Sequence, residues 1–443
     1  MGEIKPFREL NFIQTSSVIV GAVIGSGVFL NIPIVADIAG TPILTIMIWV
    51  IGGLLWIPQI MILAELSTAY PNQGGPYYYI YKAGSPFLAF QYTWTAFLTS
   101  DTPTLTIVGL IASSALSYFF PILSNTVVEK VFAASLIVVF AVIQSRSVKL
   151  GGNVQVVLTI SKLLPLIAIV FFGMGYISQN AHYFTSEVSR ESGIFNRMIA
   201  GISATIWAYA GFLNILYMGG EVKSPEKNLP KALFGSLIFV IAAYALISVC
   251  TFLIVPLDNI IAAKGDVVNP FKYINSFAGS AGAIFAVSIF ISMLGVLNGT
   301  IMTQPRLEYA MAKDGLFFSI FGKLHPTYHT PHYSIIIQCS LAIILLLLGN
   351  IESMLGYFSI SYAIQNALVY GSIIFLRRKE EYKPIYRIKG YIIVSITAIA
   401  VQLYFTFGTF IAFPLDGILI SLGFILCGIP LYLFFNKRRR IET

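Results

Sequence analysis

The sequence predicts an all-α integral membrane protein of twelve transmembrane helices, and three observations predict it. Of the 443 residues 57% are hydrophobic and only 10% charged, where a soluble domain carries roughly 25% charged residues. Several apolar runs exceed the roughly 20 residues a helix needs to cross about 30 Å of hydrocarbon. None of the chain reads as the short alternating segments of a membrane barrel, which would be near 10 residues each.

The spans fall at about 11–39, 41–69, 86–119, 127–144, 151–177, 196–219, 232–256, 278–303, 333–349, 353–376, 390–412 and 416–435. Lys5 and Arg8 precede the first run as in a signal peptide, but no small-residue cleavage site follows, so this run reads as a retained span. Basic residues set the orientation. Lys130, Arg190, Arg197, Lys264 and Lys272 fall on one side and Lys162 lies within a span; all the other Lys and Arg fall on the opposite side, which is then cytoplasmic and holds both termini. The net charge of +8 is therefore a signature of membrane topology and not of nucleic-acid binding. Cys250, Cys339 and Cys427 lie in or beside apolar runs without ligand or disulfide spacing and read as core filler.

Two spans carry interruptions. The first contains Gly25-Ser26-Gly27 near its middle, and the sixth contains Ala210-Gly211 followed by Asn214. Each opens a block of five spans, 1–5 (residues 11–177) and 6–10 (residues 196–376), with spans 11 and 12 (390–435) outside the repeat. Five is odd, so the second block enters from the opposite side and the repeat is inverted. Interrupted helices at matching positions of two halves point to a transporter's midplane site. Backbone groups freed by unwinding cost several kcal/mol each in lipid, but are useful where a ligand satisfies them. The N-terminal end of a half-helix suits an anion and the carbonyl end of its predecessor a cation. A zwitterionic amino acid presents both. The competing reading is that Gly21 and Gly25 only permit close helix packing.

Five motifs bear a resemblance. "GAVIGSGVF" (21–29) resembles the first-helix motif of the amino acid–polyamine–organocation superfamily, and "AYAGFLNILYMGGEVKSPEKNLPKAL" (208–233) the sixth-helix signature of its L-type amino acid transporter branch. "YPNQGGPYYYIYKAGSPFLAF" (70–90), "LGVLNGTIMTQPRLEYAMAKDGLF" (294–317) and "HTPHYS" (329–334) resemble the same branch in the same order. The resemblance implies a LeuT-like fold: a five-plus-five inverted repeat with helices 1 and 6 unwound, plus two peripheral helices, forming one transporter domain over 1–443. It implies a substrate carboxylate on the N–H groups of Gly25, Ser26 and Gly27. The amino group would meet carbonyls of Val23, Ile24, Trp207 and Ala210, with Trp207 as the gate. Phe212 and Gly220 depart from the branch, which usually has Trp and an acidic residue there. Animal members carry a cysteine after span three that bonds an ancillary glycoprotein. "PILSNT" (121–126) has none, so no disulfide-linked heavy chain is expected, and a prokaryotic source is. The chain is expected as a monomer or weak oligomer in the cell membrane.

Charges inside spans narrow the mechanism. Lys162 lies roughly 18 Å into span five at 1.5 Å per residue, where a lysine costs on the order of 3 kcal/mol. It can bond carbonyls of the broken first helix as a structural group, or exchange a proton. In related sodium-coupled members an ion lies near this point, so the resemblance implies that Lys162 replaces it and that transport is sodium-independent. Asp101 sits mid-span before Pro103 and can pair with a cation, line the pathway or face water. Glu65 reads as a solvated or loop-bonded end residue. Arg306, Lys313 and Asp314 fall in the loop after span eight, where pairing can close an inner gate. His325, His329 and His332 lack carboxylate or thiolate neighbours, so no metal site is expected, nor any cofactor.

The leading function is sodium-independent exchange of small or medium neutral L-amino acids. A cationic amino acid or polyamine carrier, proton-coupled, is the alternative, with Asp101 as its sole carboxylate candidate. A non-transporting amino acid sensor is disfavoured because nothing in the chain reads as an output domain. The absence of GxSxG, HExxH and P-loop motifs argues against an enzyme and against ATP-driven transport.

Overall fold

In the computed structural model of the chain, residues 6–25, 27–262, 281–348, 351–412 and 415–442 are described. Ser26, Lys264 and Lys272 lie outside them, as does the side chain of Trp207. The described residues form helices joined by turns and loops, and among them the only extended pairings are the single bridges Leu10–Val222 and Gln73–Met218.

The first span is two helices, α1 (Phe12–Val23) and α2 (Gly27–Ala39). Asn11 starts α1 with a reciprocal cap: its Oδ1 accepts from the Gln14 N–H at 2.9 Å, and its own N–H donates to Gln14 Oε1 at 3.0 Å. Helices α3 (Pro42–Leu54) and α4 (Ile57–Ala69) make the second span. The short α5 (Gly75–Ala83) follows, in a stretch read from sequence only as loop. Pro76 begins it and Gly84, left-handed at φ +115°, ends it. The third span runs α6 (Pro86–Thr95), a π-helical turn (Ala96–Asp101) and α7 (Thr102–Leu116). Pro103 has no N–H and crowds the preceding carbonyls, so the helix widens there.

Helices α8 (Thr126–Arg146) and α9 (Val148–Gly175) follow, then the short α10 (Ile177–Asn180) and α11 (Ile194–Tyr209). The second half holds α12 (Pro225–Ile254), α13 (Leu257–Ala262), α14 (Ala281–Thr303), α15 (Pro305–Lys313), α16 (His332–Leu348) and α17 (Ile351–Leu376). Helices α18 (Tyr391–Ala412) and α19 (Leu415–Glu442) close the chain. Pro42–Ala69, Thr126–Arg146, Val148–Gly175, Pro225–Ile254 and Ala286–Lys313 are each long and apolar enough to cross a membrane.

Two expectations need correction. Arg306 and Lys313 are not in a loop: after Gln304 the helix resumes as α15 and carries both. A proline at the first helical position loses no hydrogen bond, so Pro305 opens a further helix without ending the span. Cys427 is exposed on α19 and fills no core, whereas Cys250 and Cys339 are buried.

Helix α9 shows how the bundle is assembled. Gln155, Thr159 and Lys162 are buried at spacings of four and three, while Val157, Ile160 and Leu164 on other faces are exposed. The polar stripe meets α1 and α14. Thr159 Oγ1 donates to Ser17 O at 3.1 Å, and Asn298 Nδ2 donates to Gln155 Oε1 at 2.6 Å while its Oδ1 accepts from Gln144 at 2.7 Å. Buried polar groups thus pair with one another and the apolar face is left for lipid.

One end of the bundle is tied by two buried ion pairs. Arg306 donates to both Glu221 oxygens at 3.0 and 3.3 Å, both side chains fully buried, and Gln73 adds a 2.6 Å bond. Glu65 is bonded to the loop after α17 and is not solvated. It accepts from Arg377 at 2.6 Å on each oxygen, from the Ile388 N–H at 2.7 Å and from Tyr382 at 3.1 Å. Burial and then the adjacent Glu65 carboxylate push the Tyr382 hydroxyl above its ordinary pKa, so it remains a donor. Removing one partner of a buried pair leaves an uncompensated charge, at about 3–5 kcal/mol. Arg377→Leu is therefore expected to lower thermal stability in detergent by that amount without changing substrate preference. An unchanged melting temperature would show that Glu65 is held by Tyr382 and Ile388 alone.

Candidate functional site

The site is built where two helices stop. In α1 the last regular bond runs from the Ile24 N–H to Val20 O at 2.8 Å, and Ile24 then leaves the helix at ψ 87°. Helix α11 stops at Tyr209 and the chain turns through Gly211, whose φ of +124° disfavours any side chain. Short 3-10 turns, Asn214–Tyr217 and Gly219–Glu221, replace the rest of the expected sixth span.

The two interruptions touch. A Cβ on Gly27 would lie 2.9 Å from Ala208 Cα, and one on Gly211 would lie 3.1 Å from the Ala22 carbonyl carbon. Asn31 Nδ2 donates to Ala204 O at 2.8 Å, further along the same α2–α11 contact. The glycines of the first span divide their roles. At Gly21 a Cβ would meet Gln155 Nε2 at 1.8 Å, so this residue serves packing. Around Gly25 the nearest atoms are Val296 Cγ2 at 3.5 Å and Met293 Cε at 3.7 Å, ordinary contacts, and the residue faces a cavity.

Side chains receive the carbonyls freed at the break. Lys162 Nζ donates to Gly21 O at 2.8 Å and to Ile24 O at 2.6 Å, and Ser292 Oγ donates to Ile24 O at 3.1 Å. The Tyr244 hydroxyl lies 3.1 Å from Val23 O and 2.9 Å from Ala208 O, so one proton bridges the two helix ends. Both Lys162 and Ile24 sit behind the cavity wall and are buried. The Gly25 N–H is not idle, because it donates to Val23 O at 2.9 Å. A carboxylate arriving here would have to displace that bond or use the remaining N-terminal groups of α2.

The cavity holds about 120 Å³, space for several waters and hence for a small polar molecule. Of the residues expected in the site, Val23, Gly25, Gly27, Ala210 and Asp101 line it; Ile24 and Lys162 do not. Asp101 stands at the end of the π-helical turn, buried, with Oδ1 accepting from Gln304 Nε2 at 3.2 Å. Sequence reasoning missed Tyr92, Tyr217, Gln304, Gln365 and Asn366, which also line the cavity. Their one signal was available: Gln365-Asn366 is a polar pair inside an otherwise apolar span. Among the described residues no group of His, Cys, Asp and Glu could hold a metal.

Residues 10–435 match the model of the amino acid permease family. The chain is 29% identical to the serine/threonine exchanger SteT of Bacillus subtilis over 98% of each chain. It is 26% identical to the human b(0,+)-type amino acid transporter 1 over 97% of this chain and 88% of that protein. To the mouse Asc-type amino acid transporter 1 it is 25% identical over 96% and 80%. With both helix breaks lining one cavity and a family match spanning nearly its whole length, this chain belongs to the amino acid permease family.

Proposed function

We propose that the protein is an amino acid exchanger that binds its substrate between the breaks of the first and sixth spans and works by alternating access. The observation that carries this reading is the contact of the two breaks across the cavity. Backbone donors at the start of α2 face one end of the substrate's zwitterion, and carbonyls near Ala210 the other. A serine/threonine exchanger and an amino acid transporter among the relatives support the same class of activity. Residues 11–177 and 196–376 form the two inverted repeats in this reading, helices 390–435 lie outside them, and both termini face the cytoplasm. Trp207 closes the extracellular side. Lys162, held on Gly21 and Ile24 carbonyls, takes the place of a bound cation, so exchange proceeds without sodium; residues 121–126 carry no cysteine for a disulfide-linked partner.

Exchange makes a specific expectation. In proteoliposomes, uptake of labelled neutral L-amino acids should be at least about tenfold faster when the lumen holds unlabelled amino acid than when it is empty. Equal uptake in both cases would indicate uniport or symport.

A further inference from the structure

The two breaks belong to differently anchored helices, and Tyr244 links them. Helix α1 is held by α9, where Thr159 bonds Ser17 O and Lys162 bonds the Gly21 and Ile24 carbonyls. Helix α11 is held by α2 and α3: Asn31 Nδ2 donates to Ala204 O, and the Tyr209 hydroxyl donates to Trp49 O, each at 2.8 Å. Tyr244 of α12 reaches both helices, with its hydroxyl 3.1 Å from Val23 O and 2.9 Å from Ala208 O. Its ring packs edge-on to Trp49 at 5.3 Å and against Tyr209 at 5.0 Å, and all three residues are fully buried. Close packing of this kind fixes the hydroxyl in place. A tyrosine hydroxyl has one proton to give, so the two carbonyls share it. Val23 O also accepts from the Gly25 N–H at 2.9 Å, and with two donors its lone pairs are filled. Val23 lines the cavity, whereas Tyr244 and Ala208 do not. An ammonium that reaches Val23 O from the cavity must therefore displace one donor. The hydroxyl is the one to yield: 3.1 Å is long for an O–H···O bond, and its proton still has Ala208 O.

We infer that Tyr244 is a tether released by substrate. In the empty protein its hydroxyl holds the first and sixth breaks together. When the substrate ammonium takes Val23 O, the proton passes wholly to Ala208 O and α1 is freed from α11. This role rests on the exchange reading and gives it a cause. A protein that keeps its tether while empty reorients only when loaded, so net uptake is slow and one-for-one exchange is fast. Tyr244 is a positioning residue, acting through the two carbonyls without touching the substrate. A hydrogen bond of ordinary strength changes an equilibrium by about two- to tenfold, which sets the size of the effect.

Proteoliposomes holding the full chain test the tether. Uptake of labelled alanine, serine, threonine, leucine and phenylalanine is measured with the same unlabelled amino acid inside and with an empty lumen, and the fastest substrate is carried forward. In wild type the filled-to-empty ratio should be about tenfold or more, because the empty protein stays tethered. In Tyr244→Phe, which keeps the ring and removes the proton, the ratio should fall at least about threefold, because empty carriers now reorient. A merely structural role would slow both uptakes together and leave the ratio where it was. With p-aminophenylalanine at position 244 the same ring keeps a donor, so the wild-type ratio should hold; this variant serves by itself should Tyr244→Phe not fold. A smaller fall in Tyr244→Phe, or a fall of about threefold with p-aminophenylalanine, overturns the tether and leaves the exchange reading intact. A wild-type ratio below about threefold, or no uptake of any of the five amino acids, overturns both.

Discussion

Gly25→Val is expected to abolish amino acid binding while the protein still folds and inserts. The first added carbon has room, with its nearest neighbours at 3.5 and 3.7 Å, so the backbone need not move. The valine methyl groups then project into a cavity of about 120 Å³ beside the start of α2, where the ligand's charged end would lie. Substrate-dependent thermal stabilisation should disappear, and the melting temperature of the unliganded protein should stay within a few degrees of wild type. Gly27→Val offers a contrast. Its added carbon would stand 2.9 Å from Ala208 Cα, so α2 and α11 must separate, and stability and binding should be lost together. Normal binding by Gly25→Val would remove the break from the site.

Lys162→Ala is expected to lose most exchange activity and to lower stability. Its ammonium is the donor to Gly21 O and the shorter of two donors to Ile24 O, the other being Ser292. Ile24 therefore keeps a partner, whereas the Gly21 carbonyl is orphaned at about 1–3 kcal/mol. The vacated volume adds to the cost. The carbonyl end of α1 would also lose the charge that opposes its dipole. Lithium or potassium should not rescue the variant, because the side chain of Lys162 reaches these carbonyls from α9 and neither ion restores that tether. Wild-type exchange by Lys162→Ala, measured at matched protein density in the liposomes, would reduce the lysine to a bystander.

Much of this was legible before any coordinates. A charge inside an apolar span is costly enough that Lys162 announces a role, and the role found, bonding carbonyls of the broken first helix, needed only the neighbouring Gly25-Ser26-Gly27 to be anticipated. The same holds for the interruption at Ala210-Gly211. What escaped was set by partners distant in sequence or by local geometry without a one-letter signature. Tyr244 reads as one more aromatic in an apolar span, yet its hydroxyl joins the two breaks. The π-helical turn that delivers Asp101 to the cavity depends on how the helix accommodates Pro103. Pro305 opens α15, so Arg306 and Lys313, expected in a loop, lie on a helix that also buries Glu308. Glu221 and Arg306 are far apart in the chain, and only folding shows that they neutralise each other.

The most direct test of a lysine standing in for a cation is exchange in proteoliposomes with choline replacing sodium on both sides. With unlabelled amino acid inside and labelled amino acid outside, the rate should equal that in sodium within experimental error. Strict dependence of exchange on sodium would contradict the assignment of Lys162 as the resident cation.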